Sequence, residues 1–279
     1  MRFSTVTRER SSIADERSAM SRRRAIGLFL LDNGVLLALV VEIVVFSLAS
    51  PDVFFTSGNL INILRFASLG GILVACYTCA MLAGQLDLST PQVGGFAAVI
   101  FAVLFQIAQW PLLAALAVAL VAAVVIGLLN SWLISRLGIP SLVATLAVGT
   151  LCLGIAYVIV DALGQSGAIR ITRPPLRSVV STELLGIPVT VYIMFVVYLV
   201  LYVLMNHTKL GAHLYAIGGN AQAAQLNGIQ ITRLIRLVMV LTAVSAGFTS
   251  IFLSGRQLAA GPFISALGAS SSGSLAAPA

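Results

Sequence analysis

Side chains able to do chemistry are few in this sequence and far apart. Its 279 residues include two histidines, three cysteines and nine carboxylates. Asp87 stands in Gly84-Gln-Leu-Asp-Leu-Ser-Thr-Pro91, with Ser89 and Thr90 close behind it. A carboxylate flanked by hydroxyls can do one of two things here. It can face a path through a membrane, because an ionisable group is expensive in hydrocarbon and turns toward a cavity or a partner. Or it can help Ser89 and Thr90 cap the helix that Pro91 starts. Both readings of Asp87 and Ser89 stay open at this point. Glu42 sits in the middle of an apolar run and needs protonation or a partner, such as another span or a second subunit. Cys76-x-x-Cys79 has the spelling of a redox pair but lacks the βαβ setting such a pair needs, so both read as small packing residues. His207 and His213 have no carboxylate or cysteine beside them and make a poor metal site. No Gly-x-x-x-x-Gly-Lys-Ser/Thr loop is present to cradle a nucleotide, and the single lysine, Lys209, lies outside any such setting. No cluster of His, Cys or carboxylates could carry catalysis. The chain does not read as an enzyme, and no cofactor or metal is expected on it.

The stretch with the most specific pattern carries no reactive group at all. It runs Thr208-Lys-Leu-Gly-Ala-His-Leu-Tyr-Ala-Ile-Gly-Gly-Asn-Ala-Gln-Ala-Ala-Gln-Leu-Asn-Gly-Ile229. Gly218, Gly219 and Asn220 punctuate the chain, and Asn220 is a good N-cap. Ala221 to Leu226 are mostly strong helix formers. Asn227 and Gly228 tolerate the left-handed conformation and stop the helix. The expected product is a short, capped, small-residue helix. Another protein could approach that backbone closely, or the helix could be ordinary surface.

The elements that must position these residues follow from composition. Hydrophobic residues make up 59% of the chain and charged ones 9%, with mean hydropathy +1.05. A soluble core of this length cannot hide so much apolar side chain. A soluble domain, a disordered chain, a coiled coil and a nucleic-acid-binding module are excluded. Seven runs are long and apolar enough to cross a bilayer, at roughly 34–50, 66–84, 93–109, 112–135, 141–160, 188–205 and 237–254. They are continuously apolar, not alternating, which favours helices over a barrel. The fold class is therefore all-α, a polytopic transmembrane helical bundle of about seven spans. Broken or re-entrant segments are expected around 51–65 and 84–92. The first run could also be a signal peptide, but Glu42 and the long basic tail favour an uncleaved span. The organisation reads as a basic tail (1–27), a transmembrane domain (28–262) containing a loop at 206–236, and a small-residue tail (263–279).

The 16 Lys and Arg residues orient the chain. With the N-terminus in the cytoplasm, eleven fall inside: Arg2, Arg8, Arg10, Arg17, Arg22, Arg23, Arg24, Arg136, Lys209, Arg233 and Arg236. Five fall outside: Arg65, Arg170, Arg173, Arg177 and Arg256. The loop at 161–187, with three of those arginines, reads as solvated. Loop 206–236 becomes cytoplasmic, where a partner would dock. Trp110 and Trp132, near span ends, fit interfacial anchoring against membrane lipid.

Ala216-Ile-Gly-Gly-Asn220 followed by Ala223-Ala224-x-x-x-Gly228 resembles the cytoplasmic loop of bacterial ABC importer permeases of the ribose/xylose/galactose type. Other motifs agree in order: Pro51, Phe55-Thr56 and Asn59-Leu60; Gly84 with Asp87-Leu88-Ser89; Pro140 with Ala144-Thr145-Leu146; and Leu185-Gly-Ile-Pro188. Ala212 and His213 replace an arginine of the family, and Gln85 and Pro91 replace two glycines. The resemblance covers roughly 50–262. Past Pro262 the tail departs from the family's further spans, which suggests a chain lacking its last spans. The resemblance implies an ATPase coupling loop at Gly218, Gly219, Asn220, Ala223, Ala224 and Gly228; a translocation path near Asp87 and Ser89 is what their own chemistry suggests. It also implies ATP on a separate cytoplasmic ATPase, a second permease subunit, a periplasmic or lipoprotein solute-binding protein, a small sugar as substrate, and residence in the bacterial inner membrane. Nucleosides, autoinducer-type sugars and branched-chain amino acids are alternative cargoes. An ATP-independent secondary transporter is the alternative mechanism.

Overall fold

The computed structural model describes residues 33–262, so the tails 1–27 and 263–279 lie outside the described residues. The chain divides into two units, one ending at Leu60 and one beginning at Ile61. The first holds α1 (Asn33–Ala49), which is 17 residues long as described, and the single turn α2 (Pro51–Phe54). Glu42 lies on the exposed surface of α1. Phe54 stacks on Phe46 at 6.2 Å between ring centroids. The Thr56 hydroxyl accepts from Asn59 N at 3.4 Å and thereby starts α3 (Ser57–Leu82). The broken segment expected at 51–65 is therefore shorter than its sequence suggests. Only 51–56 is interrupted, and Ser57 to Arg65 is the first part of a continuous helix.

Among the described residues, six helices are long and apolar enough to cross a membrane: α3; α4 (Thr90–Ala102) with the π turn Val103–Ile107 that prolongs it; α5 (Leu112–Leu137); α6 (Ser141–Ala162); α8 (Val189–His207); and α11 (Ile231–Gln257). The remaining helices are the short α7 (Pro174–Ser181), α9 (Lys209–Gly219) and α10 (Ala221–Leu226). Prolines 111, 140 and 188 occupy the N-caps of α5, α6 and α8 with φ between −52° and −58°. Their fixed φ leads an extended loop into each helix. Gly138, at φ +70°, ends α5 in the left-handed conformation that glycine adopts without strain.

The helix α11 is the core of the bundle and packs along α5 and α4, while α4 also packs on α6. Small residues make this possible. Ala115, Ala119, Ala123 and Gly127 recur every fourth position on the buried face of α5. A Cβ built on Gly127 would lie 2.7 Å from Met239 O and 2.8 Å from Val240 Cα, so the two backbones nearly touch. Gly247 of α11 sits against the small side chains of Ala97 and Ala123, whose Cβ atoms would lie 3.2 Å from a Cβ built there. Inside a bilayer such close backbone approach replaces the hydrophobic drive that holds a soluble core.

At one end of the bundle, two short antiparallel pairs close the loops. The strand β1 (Ile169–Arg170) pairs with β4 (Ala259–Ala260), and β2 (Glu183–Leu184) pairs with β3 (Ile187–Pro188). The turn Leu185-Gly186 has positive φ at both residues, as a two-residue hairpin requires. Of the three arginines in the loop expected to be solvated, Arg173 is the one that is partly buried and held. Arg65 pairs with Glu183. The guanidinium of Arg173 lies 4.3 Å above the Phe105 ring and donates to the carbonyls of Phe105 and Trp110. Phe105 lies in the π turn that ends α4, where carbonyls lose their usual helical partners, and Trp110 lies just beyond it. Arg256 donates to Asn62 Oδ1 at 3.2 Å and covers Phe66. Arg170 and Arg177 are exposed.

Candidate functional site

Two features expected from the sequence lie at the opposite end of the bundle: the interruption between α3 and α4, and the loop from Thr208 to Gln230. The interruption begins at Gly84, at φ +70°. Gln85 N donates to Ala80 O at 2.9 Å and Gly84 N to Met81 O at 2.9 Å, the paired bonds of a Schellman stop. Residues 85–89 then run without helix until Thr90 and Pro91 begin α4. Non-helical backbone near a membrane must find partners within the protein. Here α6 supplies them. Ser141 Oγ accepts from Leu86 N at 3.3 Å, and Thr145 Oγ1 accepts from Leu88 N at 3.1 Å.

Asp87 is 2% exposed and Ser89 is fully buried. One Asp87 oxygen, Oδ1, accepts from Ser89 N at 3.0 Å and from Ser89 Oγ at 2.5 Å. Its other oxygen, Oδ2, accepts from Thr242 Oγ1 of α11 at 2.7 Å. Asn130 of α5 donates its amide to Ser89 Oγ at 2.9 Å, while its own buried carbonyl oxygen has no partner. Gly149 of α6 lets the break approach closely, since a Cβ there would lie 3.1 Å from Ser89 Cα. The carboxylate is thus both a local cap for the start of α4 and a tie to α11. Four helices meet at this one polar knot. The sequence marks Asp87 and Ser89 but gives no sign of Thr242 as their partner. Asn130, the one amide in the apolar run of α5, is a signal that could have been read.

In the loop, the helix expected at 221–226 is present as α10, but a helix the sequence did not announce, α9, precedes it and runs through Gly218 and Gly219. Thr208 caps α9 by accepting from Leu210 N at 3.2 Å. Asn220 caps α10 by accepting from Ala223 N at 3.0 Å. Asn227 and Gly228, the latter at φ +81°, end α10. Gly218 lies flat on the end of α3, and a Cβ there would overlap the Leu82 carbonyl. Gly219, Asn220, Ala223 and Gly228 are exposed, whereas Ala224 is buried and holds α10 down. Leu226, which sequence reasoning treated only as a helix former, is 90% exposed at the end of α10. A large apolar side chain so fully presented to solvent is the most distinctive feature of this surface. Among the described residues no group of three His, Cys, Asp or Glu side chains could hold a metal ion.

Residues 59–270 match the family described as branched-chain amino acid transport system / permease component. The ribose import permease of Haemophilus influenzae is 28% identical over 237 residues, covering 85% of this chain and 73% of that protein. The ribose import permease of Escherichia coli K12 is 31% identical over 249 residues, covering 84% and 72%. The D-allose transport system permease of the same bacterium is 27% identical over 229 residues, covering 82% and 69%. No solved structure matches the chain. With six span-length helices and a match over most of its length, the chain belongs to this permease-component family and is a multi-pass membrane protein of the bacterial inner membrane.

Proposed function

We propose that this chain is the membrane-spanning permease subunit of an ABC importer for a small sugar. In this reading an extracytoplasmic binding protein delivers the sugar, and a second permease subunit completes the path. A separate cytoplasmic ATPase supplies the energy, so ATP binds on that partner. The reading is supported by the similarity to ribose and allose permeases. The observation that carries the docking assignment is the capped helix α10, standing exposed with Leu226 at its tip. Closure of an ATPase dimer would press on α10 and shift the spans as rigid bodies. Gly218, Gly219, Asn220, Ala223 and Gly228 shape this surface, and Ala224 anchors it from below. We place the translocation path beside the break at 84–89, with Asp87 and Ser89 fixing its wall.

Leu226→Asp is expected to abolish co-purification of the ATPase while membrane insertion and the size-exclusion profile stay unchanged. Unaltered co-purification would refute the docking role of α10. ATPase-independent uptake driven by an ion gradient would refute the importer reading itself. The proposed orientation puts α10 and the N-terminus in the cytoplasm, following the eleven-to-five distribution of basic residues. The N-terminal tail should then resist protease added outside intact spheroplasts, and cleavage there would reverse the assignment.

A further inference from the structure

An open groove of about 960 Å³ runs along the flank of the bundle between α3, α5, α8 and α11. This lies at the upper end of the ~300–1,000 Å³ range of small-molecule sites. Its walls are almost wholly aliphatic, from Phe248 and Val244 at one end to Leu210 at the other, where Arg233 and Arg236 close it. From Arg233 to Phe248 along α11 is roughly 22 Å at 1.5 Å per residue. That exceeds the ~15 Å depth of one leaflet's hydrocarbon. A second, polar groove of about 650 Å³ begins at the same two arginines. It opens at the end of the bundle and is lined by Arg136 and by Gln225, Gly228 and Thr232 of the α10–α11 turn.

Arg233 and Arg236 therefore join a long apolar channel to a basic one. None of the three guanidiniums has a carboxylate partner among the described residues, whose one ion pair is Arg65–Glu183. Asp87 spends its oxygens on Ser89 and Thr242. Arg233 lies in the first turn of α11, where the helix dipole already favours negative charge and disfavours another cation. Two cations at that helix start, a third at the end of α5 and a hydrocarbon-lined channel leading away from them match one chemistry: a phosphate ester carrying an acyl chain.

We propose that this groove binds an anionic phospholipid, with its head group on Arg136, Arg233 and Arg236 and an acyl chain along α11 toward Phe248. On the orientation proposed above, the lipid comes from the inner leaflet. Because the polar groove is walled by Gln225 and Gly228, the lipid braces the base of α10.

The test is native mass spectrometry of the full-length protein released from bilayers of mixed phosphatidylglycerol and phosphatidylethanolamine. Retention of phosphatidylglycerol over phosphatidylethanolamine is expected. Arg233→Gln with Arg236→Gln should weaken it roughly thirtyfold, from about one surface-charge interaction each. Val244→Trp, which fills the channel and keeps every arginine, should also reduce it. Arg177→Gln, at the far end, should leave it unchanged. Should the double variant fail to fold, Arg236→Gln alone supplies the comparison. Equal retention of both lipids, or indifference to the arginine variants, overturns the proposal. So does full displacement by millimolar inorganic phosphate, or indifference to Val244→Trp, since either would mean an anion site without a chain. Loss of the lipid whenever a second copy of the chain is present would assign the groove to that copy and overturn the proposal as well. These outcomes do not depend on ATPase docking, so they stand apart from the test of α10.

Discussion

Asp87→Ala is expected to cost transport entirely and to lower thermal stability in detergent, whereas Asp87→Asn should retain most of the stability. Alanine leaves Ser89 N and Ser89 Oγ buried without an acceptor, at roughly 1–3 kcal/mol for each stranded donor. Thr242 loses less, because its hydroxyl also lies 3.0 Å from Met239 O and can turn to it. Asparagine keeps one oxygen for Ser89, and its NH₂ can donate to the Thr242 hydroxyl once that hydroxyl has turned. Melting curves by size-exclusion chromatography, read beside uptake in vesicles, distinguish the two readings that the sequence left open. If stability falls in the order wild type, Asn, Ala and uptake follows it, the carboxylate is a tie between α4 and α11. If both variants melt like wild type and neither transports, the negative charge itself is needed by the path.

The second large effect is steric. Gly127→Leu is expected to abolish the monodisperse peak, and Gly127→Ala to destabilise by about 1–3 kcal/mol, the usual cost of overpacking. The reason is the near contact of the α5 and α11 backbones, with Met239 O and Val240 Cα where the new Cβ must go. A main chain cannot rotate aside as a side chain can. Gly154→Leu on α6 is the control. It adds the same volume where a Cβ meets nothing within 4 Å, and it should melt like the wild type. Equal melting of Gly127→Leu and Gly154→Leu would refute the tight α5–α11 seam.

The contrast between these two glycines marks what was and was not legible in the sequence. The spans could be read because twenty apolar residues in a row have few other uses. The break at 84–89 could be read because Gly84 and Pro91 bracket it with turn chemistry. The helix α10 could be read almost to the residue, since Asn220 caps it and Asn227-Gly228 stop it through local backbone preferences. The partners were hidden for the opposite reason. A span that is apolar all round carries no amphipathic stripe to say which face is inward. The small-residue stripe Ala115, Ala119, Ala123, Gly127 sets Gly127 apart from Gly154 in the sequence, but only the assembled bundle shows which backbone it meets and leaves Gly154 against open space. Thr242 lies 155 residues from Asp87, so no local pattern joins them. Ala224 read as docking surface because small residues suit both a partner and a buried contact. Arg173 read as solvated because the π turn whose carbonyl it satisfies leaves no mark in the sequence.

Gly218 resting directly on the last turn of α3 has a mechanical consequence. On the docking role proposed above, force from α10 to the spans would pass through whatever lies between them, and every side chain in that line would act as a spring, able to change rotamer and absorb displacement. Between Gly218 and the Leu82 carbonyl there is no such spring. The two backbones bear on each other like stops in a latch. A push of an ångström on the loop therefore has no slack to take up at this point, and it arrives at the helix that leads into the break at Asp87.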